Sequence, residues 1–224
     1  MNEILKLEKL NYGYADGGYE RKILKDLSYS FEKGKFYTIL GPSGSGKTTL
    51  LSIISGLDSP QNGTILFNNE DIAKMGLDKY RRNKISIVFQ QYNLINYLTA
   101  AENVLVAMSE TDNDLPKNQK AIAYALLEKF GIVQSKADRL VSQLSGGEQQ
   151  RVSIARSLAS NVDLIFADEP TGNLDTATEK EIIGVFKELA HEFDKTVIVV
   201  THSDLVSKMS DQRLVLRDGV LVEL

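Results

Sequence analysis

A chain of 224 residues, 42% hydrophobic and 25% charged, is long enough to bury the core of one substantial α/β domain. Its net charge of −4 mixes both signs without the one-sided excess that marks a nucleic-acid or anionic-membrane partner, so no nucleic acid is expected. The absence of cysteine excludes disulfides, thiolate zinc sites and a thiol nucleophile, and no apolar run approaches the roughly eighteen residues that cross a bilayer.

The amino-terminal MNEILKLEKL alternates charge with apolar residues, unlike an export signal, and reads as unexported. Ile4 to Leu10 and Ile23 to Phe31 alternate in the manner of half-exposed strands of an antiparallel layer. Lys35 to Leu40 runs apolar into a glycine-rich turn, and Lys47 to Ser55 has helical spacing that stops at Gly56, which predicts a buried strand feeding a helix. Gly63 to Phe67 and Ile85 to Gln90 read as further strands. From Tyr92 to Ser160 the texture is helical, with a surface loop around Thr111 to Lys120 and an amphipathic helix over Ala121 to Phe130 that ends at Gly131. Strand character returns at Val162 to Ala167 and Thr196 to Thr201, separated by the helical run Thr178 to His191. This alternation predicts a mainly parallel sheet covered on both faces, interrupted by a helical insertion.

Gly41-Pro42-Ser43-Gly44-Ser45-Gly46-Lys47-Thr48 matches the P-loop pattern at every fixed position, between a predicted strand and a predicted helix. Each residue type has a chemical reason. The glycines let main-chain amides wrap a phosphate, the helix N-terminus offers oriented N–H donors, Lys47 adds a point charge and the Thr48 hydroxyl suits Mg2+. A glycine-rich turn with an accidental lysine is the bland alternative, and the flanking strand and helix argue against it.

Leu144-Ser145-Gly146-Gly147-Glu148-Gln149-Gln150-Arg151 opens a helix that continues with Val152, Ala155 and Ala159 on one face. Ser145 can cap this helix while the glycines permit close approach of a phosphate, so a second N-terminus is offered to negative charge. The Ser-Gly-Gly tripeptide alone is equally a capped helix with a flexible entry. The full octapeptide resembles the signature of the ABC (ATP-binding cassette) ATPases, and the resemblance covers essentially the whole chain. It implies a single domain over 1–224 of class α/β, with a P-loop NTPase (RecA-like) core. Core and antiparallel β layer would take about 1–91 and 161–224, and an inserted helical subdomain about 92–160. It also implies ATP hydrolysis with Mg2+, and a head-to-tail pair of copies. In that pair Ser145, Gly146, Gly147 and Glu148 of one copy close over ATP held by residues Gly41, Pro42, Ser43, Gly44, Ser45, Gly46, Lys47, Thr48 and Thr49 of the other.

By the same resemblance, Asp168 at the end of the strand Leu164 to Ala167 supports Mg2+ with Thr48, and Glu169 is the general base. His202 corresponds to the family's switch histidine, Gln90 to the glutamine that contacts Mg2+ and water, and Asp175 to an aspartate used across the dimer interface, although it is equally a helix N-cap. His191, on a predicted helix, receives only a structural reading. Tyr14, ahead of the loop Ala15 to Gly18, is expected to stack on adenine, with Tyr12 as the alternative.

A complete hydrolytic set without a spanning helix implies a separate integral membrane permease, met by Gln91 to Leu94, and so a place at the cytoplasmic face of the membrane. The stretches Glu169 to Asp175 and Phe89 to Leu94 are similar to the MacB, LolD and FtsE group and to bacitracin-type peptide-resistance ATPases. A soluble DNA-repair or chromosome-organising ATPase of the same family would need a long coiled coil between Gln90 and Leu144, and that span is too short and lacks heptads. Glu169 and His202 argue against a module that senses ATP without turning it over.

Overall fold

The computed structural model describes residues 2–16 and 19–224. The chain runs β1 (Glu3–Asp16), β2 (Tyr19–Glu32), β3 (Phe36–Leu40), α1 (Lys47–Ile54), β4 (Asn62–Phe67), β5 (Glu70–Asp71), α2 (Ile72–Met75), α3 (Leu77–Asn83) and β6 (Ile85–Phe89). It continues through α4 (Ala100–Glu110), α5 (Gln119–Lys129), α6 (Gln134–Ala137), α7 (Gly146–Ala159), β7 (Leu164–Asp168), α8 (Thr176–His191), β8 (Thr196–Val200), α9 (Asp204–Met209), β9 (Gln212–Arg217) and β10 (Val220–Glu223).

Two sheets result. One is antiparallel, in the order β2-β1-β4-β5, and the other follows β10-β9-β3-β8-β7-β6, parallel except for the terminal β9–β10 hairpin. Period-two burial divides the core between the faces of the second sheet. Leu164, Phe166, Ile198 and Val200 pack with α1 and the antiparallel layer, whereas Ile165, Ala167, Val197 and Val199 pack with α8 and the helices α4, α5 and α7. The all-apolar runs of β7 and β8 are buried on both sides, as strands covered by helices and a second sheet must be.

Several boundaries depart from expectation for local reasons. Ala15 and Asp16, expected in a loop, continue β1 because they pair with Glu20 and Tyr19, and the ladder overrides their turn propensity. β7 begins at Leu164 and includes Asp168. α8 starts earlier than its apolar pattern, at Thr176, because Asp175 accepts from Ala177 N and Thr178 N and supplies the cap. β8 lies between β3 and β7, so the Asp168 carboxylate reaches the P-loop across one intervening strand. The P-loop, Gln90, Glu169 and His202 all follow the carboxyl ends of parallel strands, where open α/β sheets hold their ligands.

Candidate functional site: a P-loop pocket and a separate signature helix

The P-loop leaves β3 at Gly41 and enters α1 through Gly46, whose φ of 99° lies in the left-handed region. A Cβ at that position would also collide with Ile23, so both main-chain conformation and packing require glycine. Lys47 Nζ donates to the carbonyls of Gly41 at 2.8 Å and Pro42 at 3.2 Å, which folds the ammonium back over its own loop. Thr48 Oγ1 is 3.5 Å from Asp168 Oδ1. These are hard oxygen donors of the kind Mg2+ takes, and among the described residues no cluster of three or more histidines and carboxylates could hold a metal alone. The set fits Mg2+, which keeps waters and phosphate oxygens and needs only one or two protein ligands.

Glu169 stands at the site in a strained conformation, φ 44°, with its N–H given to Val200 O at 2.9 Å. Its carboxylate is held on both oxygens: Oε1 is 2.9 Å from His202 Nδ1, and Oε2 accepts from Thr201 Oγ1 at 3.1 Å and from His202 N at 3.3 Å. The Glu169 side chain is only 19% exposed against 73% for His202, so the carboxylate is shielded and its partner faces open space. Beside it, burial raises the Asp168 pKa above the ordinary carboxylate range and the neighbouring Glu169 charge adds to the rise, while the Thr48 bond and the Lys47 charge oppose it.

A pocket of about 440 Å3 collects Tyr14, Ser43, Gly44, Gly46, Lys47, Thr48, Thr49, Glu169 and His202. Tyr14 is half exposed there, its hydroxyl 3.4 Å from Thr49 Oγ1. Tyr12 is outside this lining: it meets Tyr14 edge-on at 5.3 Å and gives its hydroxyl to Asp58 at 2.5 Å, a bond that pushes its pKa up to about 12. Pro42 and Ser45 line an adjoining recess. Arg21 and Ile23 also line the pocket and were not anticipated; Arg21 pairs directly with Tyr14 across the ribbon, a register that strand pairing sets and no local sequence pattern announces.

The remaining predicted residues lie elsewhere. Ser145 caps α7 in a full capping box, with Glu148 Oε2 accepting from Ser145 N at 2.9 Å and Ser145 Oγ accepting from Glu148 N at 3.4 Å. Lys136, and then the Ser145 N–H, hold the Glu148 pKa below its ordinary value. Gly146 and Gly147 have intramolecular reasons to be glycine, since a Cβ on either would press within 2.9 Å of Tyr92 Oη or 2.7 Å of Thr178 Cγ2. Asp175 caps α8, and the Thr178 hydroxyl followed by the Thr178 N–H lowers its pKa. Gln90 is exposed and exchanges weak amide bonds with Asn173, each 3.4 Å long. None of Ser145, Gly146, Gly147, Glu148, Asp175 or Gln90 lines the Lys47 pocket. Glu179 is a connection the sequence did not reveal: it accepts from Thr171 Oγ1 and Ser203 Oγ, at 3.2 and 2.7 Å, and so joins the loops that follow β7 and β8. His191 pairs with Asp211 at 2.9 Å, away from the pocket.

The fold and pocket define a P-loop nucleotide-binding protein. Residues 24–172 match the family described as ABC transporter. The chain is 47% identical, over 96% of its length and 94% of the relative's, to an uncharacterized ABC transporter ATP-binding protein of Bacillus subtilis, YclH. It is 39% identical to the macrolide export ATP-binding/permease protein MacB of Syntrophobacter fumaroxidans, covering 98% of this chain but 31% of that longer protein. A solved structure of the ATP-binding cassette MJ0796 of Methanocaldococcus jannaschii, a dimer in a post-hydrolysis state bound to ADP and Pi, superposes with a TM-score of 0.88 at 38% identity, covering 99% of this chain and 98% of that one. The chain belongs to the ABC transporter family, as its ATP-hydrolysing subunit. Among the described residues no helix is long and apolar enough to cross a membrane.

Proposed function

We propose that two copies of this chain close head to tail around two Mg-ATP and that their closing and opening drives a separate membrane permease. The observation that carries this reading is the separation of the two anion-seeking helix ends: the P-loop lines the pocket with Glu169 and His202, while the Ser145 end of α7 lies outside it and is left for another copy. The dimeric MJ0796 cassette supports the pairing, and the MacB relative, which names ATP-binding and permease functions in one protein, supports the coupling. The chain is then a single cassette with a helical insertion over about 92–160, peripheral to the cytoplasmic face of the membrane through its permease. The system it serves is a MacB-like envelope, lipoprotein or antimicrobial-peptide export or resistance system.

In this mechanism Lys47 exchanges the carbonyls of Gly41 and Pro42 for phosphate oxygens, and the amides of residues 43–48 supply the remaining cradle. Thr48 and Asp168 would hold Mg2+, and Gln90 would join them on leaving Asn173; when bound, the ion would supply charge compensation for the phosphates. Glu169, fixed by Thr201 and His202, orients a water and takes its proton, and His202 stands ready to contact the γ-phosphate. Asp175 and the Ser145 to Glu148 turn meet the opposite copy. Loss of the γ-phosphate removes the charge that both helix ends share and loosens the pair.

Because the chain has no cysteine, Ser43→Cys and Ser145→Cys introduce the only thiols. Combined with Glu169→Gln, they are expected to crosslink between copies when Mg-ATP is added and to stay monomeric on denaturing gels without it; no ATP-dependent crosslink would overturn the paired arrangement. Tyr14→Ala is expected to weaken ATP binding by about 1–3 kcal/mol, the range for base–aromatic stacking, in a fluorescent-nucleotide titration, and Tyr12→Ala much less. The reverse order would transfer the stacking role to Tyr12.

A further inference from the structure

After β6 the main chain turns sharply. Asn93 N donates to Gln91 O at 2.6 Å, and Tyr92 and Asn93 take φ values of 60° and 48°. Asparagine tolerates the left-handed region, but a bulky tyrosine enters it only when its surroundings hold it there. What holds it is Arg156, three turns along the signature helix: Nη1 donates to Asn93 O at 2.6 Å and Nη2 to Tyr92 O at 3.0 Å. Burial draws the Arg156 pKa below its ordinary value, yet a guanidinium keeps its proton, so a desolvated charge is committed to two main-chain carbonyls. The helix also touches the turn at its other end, where the Tyr92 hydroxyl lies over Gly146. On the far flank Gln90 and Asn173 exchange their amide bonds, and the missing side chain of Gly172 leaves room for the Gln90 amide.

We propose that Arg156 is a positioning residue that makes the turn at residues 90–93 move with the signature helix α7. The inference rests on the paired-copy reading above. Gln90 serves the pocket of its own copy and the Ser145 end of α7 closes the pocket of the other, so a rigid tie between them links two ATP sites without touching either. The same tie passes any shift of α7 to Gln91 through Leu94, the segment assigned to the permease. A forked guanidinium is suited to this task because its two nitrogens match two successive carbonyls; a lysine ammonium is a single point.

The test uses the whole purified chain with Arg156→Lys and Arg156→Met. Methionine fills a similar volume without a buried charge, so it keeps the fold even if lysine does not. Both variants are expected to melt within a few degrees of the parent and to keep the KM for ATP within about twofold, while kcat falls by about tenfold in Arg156→Met and less in Arg156→Lys. Amide hydrogen exchange over residues 90–95 should accelerate by at least about tenfold while β6 and α1 keep their protection. Parent-level kcat despite a loosened turn would overturn the coupling, and unchanged exchange would overturn the clamp. A joint collapse of melting temperature, KM and kcat would reduce Arg156 to a structural role and overturn the proposal as well. Failure of the paired-copy reading would show instead as an absent Ser43→Cys/Ser145→Cys crosslink, in which Arg156 takes no part.

Discussion

Glu169→Gln is expected to reduce ATP turnover by about 10²–10⁴-fold, the range for removing a positioned general base, while leaving ATP binding intact. The substitution keeps the side chain's length and one oxygen, so Thr201 Oγ1 and the His202 N–H retain an acceptor and the local main chain, already at φ 44°, need not change. What disappears is the carboxylate's capacity to take a proton and its charge beside Asp168. Both losses act in the same direction. Water is no longer deprotonated, and one negative charge fewer faces the incoming triphosphate, so the closed pair is stabilised at the point where hydrolysis would have opened it. Phosphate release measures the first effect, and size-exclusion chromatography with Mg-ATP measures the second, as a dimer that survives elution. Turnover at the parent rate would remove Glu169 from the role of base.

The P-loop, the capped start of α7 outside its pocket and the central strands were legible in the sequence because each rests on local chemistry. The P-loop is a contiguous octapeptide between a strand and a helix, and the Ser145 capping box is visible as serine followed three residues later by glutamate. The apolar runs Leu164 to Ala167 and Thr196 to Val200 announce doubly covered strands. What sequence reasoning could not supply is the order of strands: that β8 separates β3 from β7 follows from long-range pairing, and no local pattern encodes it. The same holds for side-chain partners distant in the chain, such as Arg21 opposite Tyr14, Arg156 on the carbonyls of Tyr92 and Asn93, and Glu179 between Thr171 and Ser203. The carboxy-terminal hairpin is a different case. Leu214, Val215 and Leu216 form a short apolar run bounded by Arg213 and Arg217, and Asp218-Gly219, both at positive φ, is a strong turn signal, so β9 and β10 were within reach of pattern alone.

Asp168→Asn is expected to abolish Mg-ATP turnover and, without nucleotide, to make the protein more stable. The sign follows from the raised pKa. A folded-state carboxyl that holds its proton more tightly than the unfolded one binds more protons over the window between the two pKa values, so stability falls as pH rises through it from the ordinary carboxylate range. Above that window the charge on Asp168 is therefore a net cost to the fold, caused first by burial and then by Glu169. Asparagine has nearly the same shape, still accepts from Thr48 Oγ1, and carries no charge. The melting temperature at pH 8 should rise above the parent's, and the gain should shrink as pH falls toward the ordinary carboxylate range. On the proposed role of Asp168 in holding Mg2+, adding Mg-ATP should reverse the order, raising the melting temperature of the parent well above that of the variant, because the parent's carboxylate would gain the ion's charge and the variant's amide would not. A variant less stable than the parent at pH 8 would show that the bond to Thr48 and the Lys47 charge outweigh burial, and Asp168 would then be an element of the fold before it is an element of the reaction.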